Sequence, residues 1–388
     1  MLKQREVFYL DQRARQVKPK QKDKLFGGLK ILFVGDPGQL PAVKGLVLWN
    51  QKGSHDHDKR GFVLYLQFKE VTRLIFNERL DKRDSDAREY SEILNRLHDG
   101  KNTKTDAALI NKKCSRHVMT RAEWRRRGFT NDDTMHLFTT NAASKRHNRI
   151  MINNMVSPIA LVQAENKGNG QNASSENTQN LENSMYLAVG ASVIITSNIC
   201  RSVVNGSRGI VKEIIYKNEE SAPAVPAIVW TEINTFNGDT FFPNDPSRKK
   251  WFPIRPKSHI WWTEEKKKRG QVANSIDKKG WIENSRTMLP MKLSWALTVW
   301  KAQGQTIRSK IVLHLGDKET EHGLTYTAFS RATRFSDVGV YGGVEIARFT
   351  QKIPNHSKME PRLKEERRYD ALIKETKKKF DLYLNNNE

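Results

Sequence analysis

The sequence predicts an α/β fold with an all-β insertion near residues 205–286. Three observations predict it. Short apolar runs alternate with segments of helical period along most of the chain. One such run, LKILFV (29–34), ends directly in GDPGQLP, as a buried strand of a parallel sheet ends in a loop. Residues 217–286 hold many of the prolines, together with Trp230, Trp251, Trp261, Trp262 and Trp281, among short strand-like runs and turn residues.

Taken in order, LKILFV (29–34) and GFVLYLQF (61–68) are expected as strands. In AREYSEILNRLHDG (87–100), Tyr90, Ile93, Leu94 and Leu97 fall at i, i+3, i+4 and i+7, which predicts an amphipathic helix stopped by Gly100. TMHLFTTN (134–141) predicts a strand that leads into the helix SKRHNRIMINNM. Residues 164–184, rich in Asn, Ser and Gly, are expected to be a flexible excursion. ASVIITSN (191–198) and the alternating GIVKEIIY (209–216) predict strands around a turn at NGSRG. MKLSWALTV (291–299), KIVLHL (310–315) and VGVYG predict further strands, with a helix near 325–334 and a charged helix over 361–383. There is no internal repeat.

Composition narrows the function classes. Lys and Arg number 67 against 43 Asp and Glu, a formal net charge of +24. The excess is +6 over residues 1–30, +8 over 101–160 and +6 over 201–290, in blocks that also contain periodic apolar residues. Folded domains therefore carry it, which points to a polyanionic partner, nucleic acid ahead of an anionic membrane surface. The 37% hydrophobic and 28% charged content suits a globular core. No run of about 18 apolar residues is present to span a bilayer. The start, MLKQREVFYLDQRARQ, has no apolar signal core. Cys114 and Cys200 are the two cysteines, with no CxxC or HExxH spacing, so no metal site is expected and a reducing, intracellular compartment is.

Four blocks can carry chemistry. In ILFVGDPGQLPAV (31–43), Gly35 and Gly38 allow tight turns. Asp36 could reach a metal-bound water and Gln39 could hydrogen-bond a terminal phosphate; an ordinary strand-to-turn junction has the same composition. In FNERL (76–80), Arg79 could donate two hydrogen bonds to a phosphate or be simply solvated. In LSWALTVWKAQGQT (293–306), a strand breaks into a loop with Lys301, Gln303, Gly304, Gln305 and Thr306, which suits phosphate contacts or a plain polar loop. In GLTYTAFSRATR (323–334), Arg331 and Arg334 lie three apart on one helix face, which could equally be a solvated basic face.

In this order and spacing, the blocks resemble the petite-integration-frequency family of ATP-dependent DNA helicases, in the RecD-like branch of helicase superfamily 1. GDPGQLP, preceded by FGG, is similar to that family's motif III and FNERL to its motif IV. LTVWKAQGQT resembles motif V and YTAFSRATR motif VI, while MYLAVGASVIITSNICRSVVNGSRGIV (185–211) resembles the stretch before a small β-barrel insertion. The resemblance covers roughly residues 1–345. It implies RecA-like parallel-sheet motor domains, the first one truncated, with a small β-barrel insertion in the second. The implied partition is a remnant of the first motor domain at 1–100, the second at 101–204 and 287–350, the insertion at 205–286 and a charged helical tail at 351–388. The implied cofactors are ATP and Mg2+, with ATP in a cleft between motor domains. Gln39 would sense the γ-phosphate, with Gly35 and Asp36 beside it. Arg79 and Arg331 would act as arginine fingers. Gln303 and Gly304 would link the nucleotide to DNA. Thr140, Asn141, Lys145, Lys301 and Thr306 would contact nucleic acid. The tryptophan-rich insertion would add either a base-stacking surface or a small barrel's core.

Departures from the family pattern matter as much. GxxxxGK[ST], the loop that grips the triphosphate, does not occur: Gly100-Lys101 lacks a Gly at position 95 and is followed by Asn102. The acidic pair that binds magnesium is also missing, so no metal ligand is expected in this chain, and Met1 matches the Met just after that pair. Trp300 stands where motif V usually has His, and Ala42 where motif III often has a second Pro. The expectation is a monomeric motor acting on single-stranded and forked DNA, here as a fragment without ATPase activity of its own, its N-terminal half either missing from the gene model or separately encoded. The alternative is a non-catalytic nucleic-acid-binding remnant of a helicase or mobile-element gene. Placement in a nucleus or mitochondrion follows from the resemblance alone.

Overall fold

A computed structural model describes residues 2–385 apart from 52, 54, 76, 81–84, 131–132, 219 and 265–280. Phe76 of FNERL and the Trp281 side chain fall outside the described residues. Contacts divide the chain into two compact units, Met1–Thr139 with Thr298–Glu388, and Thr140–Leu297.

The first unit opens with α1 (Gln4–Val17), which packs on α2 (Asp56–Tyr65). The approach is close because residue 61 is glycine: a Cβ there would lie 1.9 Å from the Gln4 carbonyl oxygen. Val7, Ala14 and Phe26 form the apolar centre, with Ile31, Phe33, Leu64 and Phe68 against it. Helix α2 corrects the strand expected at 61–68. A continuous apolar run carries no period of its own, and the buried positions of α2, Asp58, Gly61 and Tyr65, follow a helical one.

Residues 29–34 do not form the expected strand either. Ile31 and Phe33 turn toward the apolar centre, whereas Leu32 and Val34 are 85% and 84% exposed. The side chains alternate as in a strand, but among the described residues no neighbour completes a ladder. Without hydrogen-bonded neighbours an extended segment is not a sheet strand.

Helix α3 (Ala87–Asp99) matches its expectation: Tyr90, Ile93, Leu94 and Leu97 are buried, and Gly100 ends it at φ +67°. Next come α4 (Lys104–Cys114), capped by Thr103 and Asp106, α5 (Arg121–Arg126) and strand β1 (Met135–Phe138).

The second unit begins at α6 (Asn141–Asn153) and continues through β2 (Ala160–Gln163), β3 (Glu165–Lys167), β4 (Ser184–Leu187), β5 (Ser192–Ile195), β6 (Arg208–Ile215), β7 (Ile228–Glu232), β8 (Trp251–Ile254), β9 (Lys257–Glu264), β10 (Trp281–Met288) and β11 (Met291–Leu293). An antiparallel sheet runs β11-β5-β6-β7-β8, beside the smaller sheets β3-β10-β9 and β2-β4. The larger sheet thus joins β6–β8 to β5 and β11, which flank residues 205–286 in sequence. Trp230 and Trp251 pack with Phe242, while Trp262 is 56% exposed.

The excursion at 164–184 is ordered, contrary to expectation. Its anchor is Arg286 of β10, which is fully buried. The guanidinium donates to the carbonyls of Gly170 (2.6 Å), Ala173 (2.8 Å) and Leu181 (3.0 Å), to Asn166 Oδ1 (3.0 Å) and to Thr178 Oγ1 (3.3 Å). A polar stretch that cannot build an apolar core is tied down by one five-donor side chain.

The chain re-enters the first unit through β12 (Ala296–Thr298), α7 (Val299–Ala302), β13 (Ile311–His314), α8 (Leu324–Phe329), β14 (Val338–Val340) and α9 (Met359–Asn385). The single strand expected at 291–299 is split at Ser294-Trp295. There Asn148 takes over the ladder's role: its Oδ1 accepts from the Ala296 amide at 2.8 Å and its Nδ2 donates to the Leu293 and Ala296 carbonyls. Strands β1, β13 and β14 pair in parallel. Helix α8 ends before Arg331, so Arg331 and Arg334 do not share a helix face: Arg331 is buried and Arg334 exposed. Among the described residues no helix is long and apolar enough to cross a membrane.

Candidate functional site

The motif loops of the first unit converge on one carboxylate. Asp36 Oδ1 accepts from the Gly38 amide at 2.9 Å and lies 3.1 Å from His98 Nε2. Its Oδ2 accepts from the Gln39 side-chain amide and from the Tyr326 hydroxyl, each at 3.0 Å. Local sequence explains the tightness. A Cβ on Gly38 would lie 2.2 Å from the His98 ring, and one on Gly323, at φ +77°, would lie 2.3 Å from the Gly38 carbonyl oxygen. Burial by itself would raise the Asp36 carboxyl, but the hydrogen bond and charge of His98, with Gln39 and Gly38, hold it well below the usual range. Burial likewise opposes charge on His98, yet Asp36 and Asp99 lift it to about 9. Burial, reinforced by Asp36, pushes the Tyr326 phenol far up.

The loop then joins the second and third motifs. Leu40 donates its amide to Thr327 Oγ1 at 3.0 Å, and its carbonyl accepts from Gln303 Nε2 at 3.0 Å. Arg79 donates to Thr306 Oγ1 at 3.0 Å and to the Ser330 carbonyl at 2.8 Å. Arg331, next to Ser330, is fully buried and donates to the Thr327 carbonyl (2.9 Å), the Gln305 carbonyl (3.0 Å) and Ser330 Oγ (2.7 Å). Burial, then the nearby Arg79 charge, lower its guanidinium to about 10. Gly35 and Gly304, the latter at φ +80°, each have open space where a side chain would stand.

The structure therefore brings Gly35, Asp36, Gln39, Arg79, Gln303, Thr306 and Arg331 into one unit. Lys301 is exposed there on α7, just before the Gly304 loop. Thr140, Asn141 and Lys145 belong to the other unit: Thr140 caps α6, accepting from the Ala143 amide at 3.3 Å, and Asn141 and Lys145 are exposed on its first turns. Arg331 does not sit on a solvated face, and it is turned into the protein rather than toward open space. His98, Tyr326 and Thr327 went unassigned in the sequence. Tyr326 and Thr327 lie inside a quoted block, but no spacing links His98 to Asp36, 62 residues away.

Among the described residues His98, Asp99 and Glu366 bring three potential metal-ligating atoms together. Both His98 nitrogens are taken by carboxylates and Arg362 lies against the ring, so this is an ion-pair network. For the implied cofactors, Gln39 and Arg79 offer donors suited to a phosphate. Magnesium is not fitted: Asp36, the carboxylate beside Gln39, is already engaged by four donors.

Over 170 residues the chain is 27% identical to the ATP-dependent DNA helicase Pif1 of Campylobacter jejuni, covering 43% of this chain and 31% of that one. Over 81 residues it is 37% identical to the ATP-dependent DNA helicase PIF1 of Emericella nidulans, 21% of this chain and 10% of that one. A family model described as PIF1-like helicase matches residues 1–108, the stretch with Asp36, Gln39, Arg79 and His98. Over that stretch the chain is similar to the PIF1-like helicase family. Among solved structures, the Pif1 helicase of Candida albicans superposes with a TM-score of 0.61 at 19% identity, covering 95% of this chain and 74% of that one. Bacteroides Pif1 bound to single-stranded DNA gives 0.63 at 18%, covering 96% and 74%. Its complex with ADP-AlF3 and single-stranded DNA gives 0.62 at 18%, covering 96% and 73%. The fold is accordingly the α/β, RecA-like fold of these helicases. The matched region spans about a third of the length of the Campylobacter relative.

Proposed function

We propose that this chain is the phosphate-sensing and DNA-tracking portion of an ATP-dependent DNA helicase and does not hydrolyse ATP by itself. One observation carries the proposal: Gln39, Arg79, Gln303 and Arg331, from four separated blocks, meet through Leu40 and Ser330. In this reading a terminal phosphate competes with Asp36 for the Gln39 amide, and Arg79 supplies positive charge beside it. The triphosphate-gripping loop and the magnesium-binding acids come from a segment outside these 388 residues. The exposed Leu32 and Val34, in an extended segment with no paired neighbour among the described residues, support this, since such a segment has its backbone and apolar side open to further strands. Residues 1–100 then contribute to the first motor domain, 101–204 and 287–350 form the second, 205–286 are its β-barrel insertion, and 351–388 are a helical tail. The partners are single-stranded and forked DNA, engaged by Lys145, Lys301 and Thr306 along with Thr140 and Asn141; the motor is monomeric and intracellular, and in a eukaryotic cell acts in the nucleus or mitochondrion.

The test is to assay the purified chain. ATP turnover stays at background with or without single-stranded DNA; robust DNA-stimulated turnover refutes the proposal. Single-strand affinity falls with salt, with a log–log slope of about −0.7 per phosphate contact. A flat plot removes the DNA-tracking part.

A second reading, a non-catalytic nucleic-acid-binding module, is favoured by one observation. All three donor groups of Arg331 are committed to its own chain. Adding a polypeptide with the phosphate loop and acidic pair separates the two: turnover supports the helicase, and DNA binding without turnover supports the module.

A further inference from the structure

Helix α9 is linked to the Gln39 loop through His98 of α3, and the link is made largely of charge. The Arg362 guanidinium, fully buried, lies against the His98 ring, with Nη2 2.8 Å from Nδ1 and 3.1 Å from Nε2. Its Nη1 donates to the His98 carbonyl. Two cations in contact repel unless counter-charged. Three carboxylates do this: Asp99 at 2.8 Å from His98 Nδ1, Glu366 at 2.5 Å from Arg362 Nη2, and Asp36 at 3.1 Å from His98 Nε2. The first two belong to the end of α3 and to α9. The third belongs to the sensor loop, and its other oxygen holds Gln39 and Tyr326.

One carboxylate thus serves both the docking of α9 and the position of Gln39. The packing leaves little slack between them. A Cβ on Gly100 would lie 2.5 Å from Met359 Cε at the start of α9, as one on Gly38 would meet His98. Further along, α9 is held independently of the loop, by the Tyr65–Tyr369 hydroxyl pair at 2.6 Å and by Thr376 Oγ1 accepting from the Val71 amide at 3.0 Å.

We propose that α9 is a regulatory latch on the Gln39 loop, with His98, Arg362 and Glu366 as positioning residues. When α9 is docked, the cation pair holds Asp36 in place and Asp36 holds Gln39. When its first turns undock, Asp36 loses that hold and Gln39 is released toward a terminal phosphate. Coupling is reciprocal, so displacing Gln39 from Asp36 loosens α9 by the same factor. The assignment of Gln39 to a phosphate rests on the function proposed above; the coupling of loop and helix does not.

Hydrogen exchange followed by mass spectrometry on the full chain tests it, using two isosteric variants. Glu366→Gln, on α9, raises exchange of the Gly38, Gln39 and Leu40 amides by about 5-fold or more, the low end of site-to-site coupling. Asp36→Asn, in the loop, raises exchange over residues 360–366 comparably, and the double variant is less than multiplicative. If Glu366→Gln loosens α9 while residues 38–40 stay at wild-type rates, or Asp36→Asn leaves α9 unchanged, the latch is refuted. Should Glu366→Gln fail to fold, Arg362→Lys, which keeps the charge and loses the forked contact, carries the same expectation. Failure of the helicase reading would show separately, as no ATP turnover when a phosphate-loop polypeptide is supplied, with the exchange result unaffected.

Discussion

Replacing Arg286 by Met keeps the side chain's length and apolar stem and deletes all five hydrogen bonds of the guanidinium. The acceptors left behind are three carbonyls, Asn166 Oδ1 and Thr178 Oγ1. Arg286, Thr178 and Leu181 are all buried, so water cannot replace every lost donor. A buried group left without its partner costs about 1–3 kcal/mol. Several of these acceptors have other partners or lie near solvent, so the total expected is about 3–5 kcal/mol, similar to breaking a buried ionic contact. For a unit of this size, about 2–4 °C per kcal/mol gives a loss of about 6–20 °C in its melting temperature. The assay is thermal unfolding by circular dichroism, with limited proteolysis to localise the effect. Wild type resists cleavage over 164–184 until the unit melts, whereas Arg286→Met is cut there well below that temperature. A loss below about 1 kcal/mol, with protease resistance retained, would refute the view that this one guanidinium orders the segment.

Two other perturbations have definite signs. Gly61→Ala places a Cβ 1.9 Å from the Gln4 carbonyl oxygen, so α1 and α2 must separate; a loss of about 1–3 kcal/mol or more in a denaturant titration is expected, and a neutral result would contradict the packing. His98 is raised from its ordinary 6.5 to about 9, so its stabilising contribution is complete below about pH 6.5 and is lost as pH rises through 9. The difference in melting temperature between wild type and His98→Asn should therefore shrink between pH 7 and 10; a constant difference would show that the charge does not contribute.

How much was legible in advance varied with the kind of interaction. Helix α3 could be read residue by residue because its buried face follows a local period and Gly100 closes it. Helix α2 could not, since its decisive residue, Gly61, acts by lacking a side chain against a carbonyl 57 residues earlier. The order in 164–184 depends on Arg286, more than 100 residues downstream, and no local composition signals that. The motif residues Asp36, Gln39, Arg79 and Gln303 were legible as a set, because each sits in a short block with a recognisable neighbourhood. His98 was hidden for the opposite reason: it looks like the polar end of an amphipathic helix. Arg331 was found, but its orientation was not, because burial is a tertiary property.

The first unit is assembled from two distant stretches of chain, with all of the second unit between them. During synthesis at roughly 5–20 residues per second, residues 140–297 can finish folding while the leading stretch still waits for β13, β14 and α9. The wait lasts on the order of ten seconds, with Tyr65, whose hydroxyl meets Tyr369, and Tyr90, whose ring stacks on Phe335, already outside the ribosome and bare of cover. Such a nascent chain is a natural client for a holdase chaperone, and its yield in a cell should depend more on chaperone supply than on the stability of the finished protein.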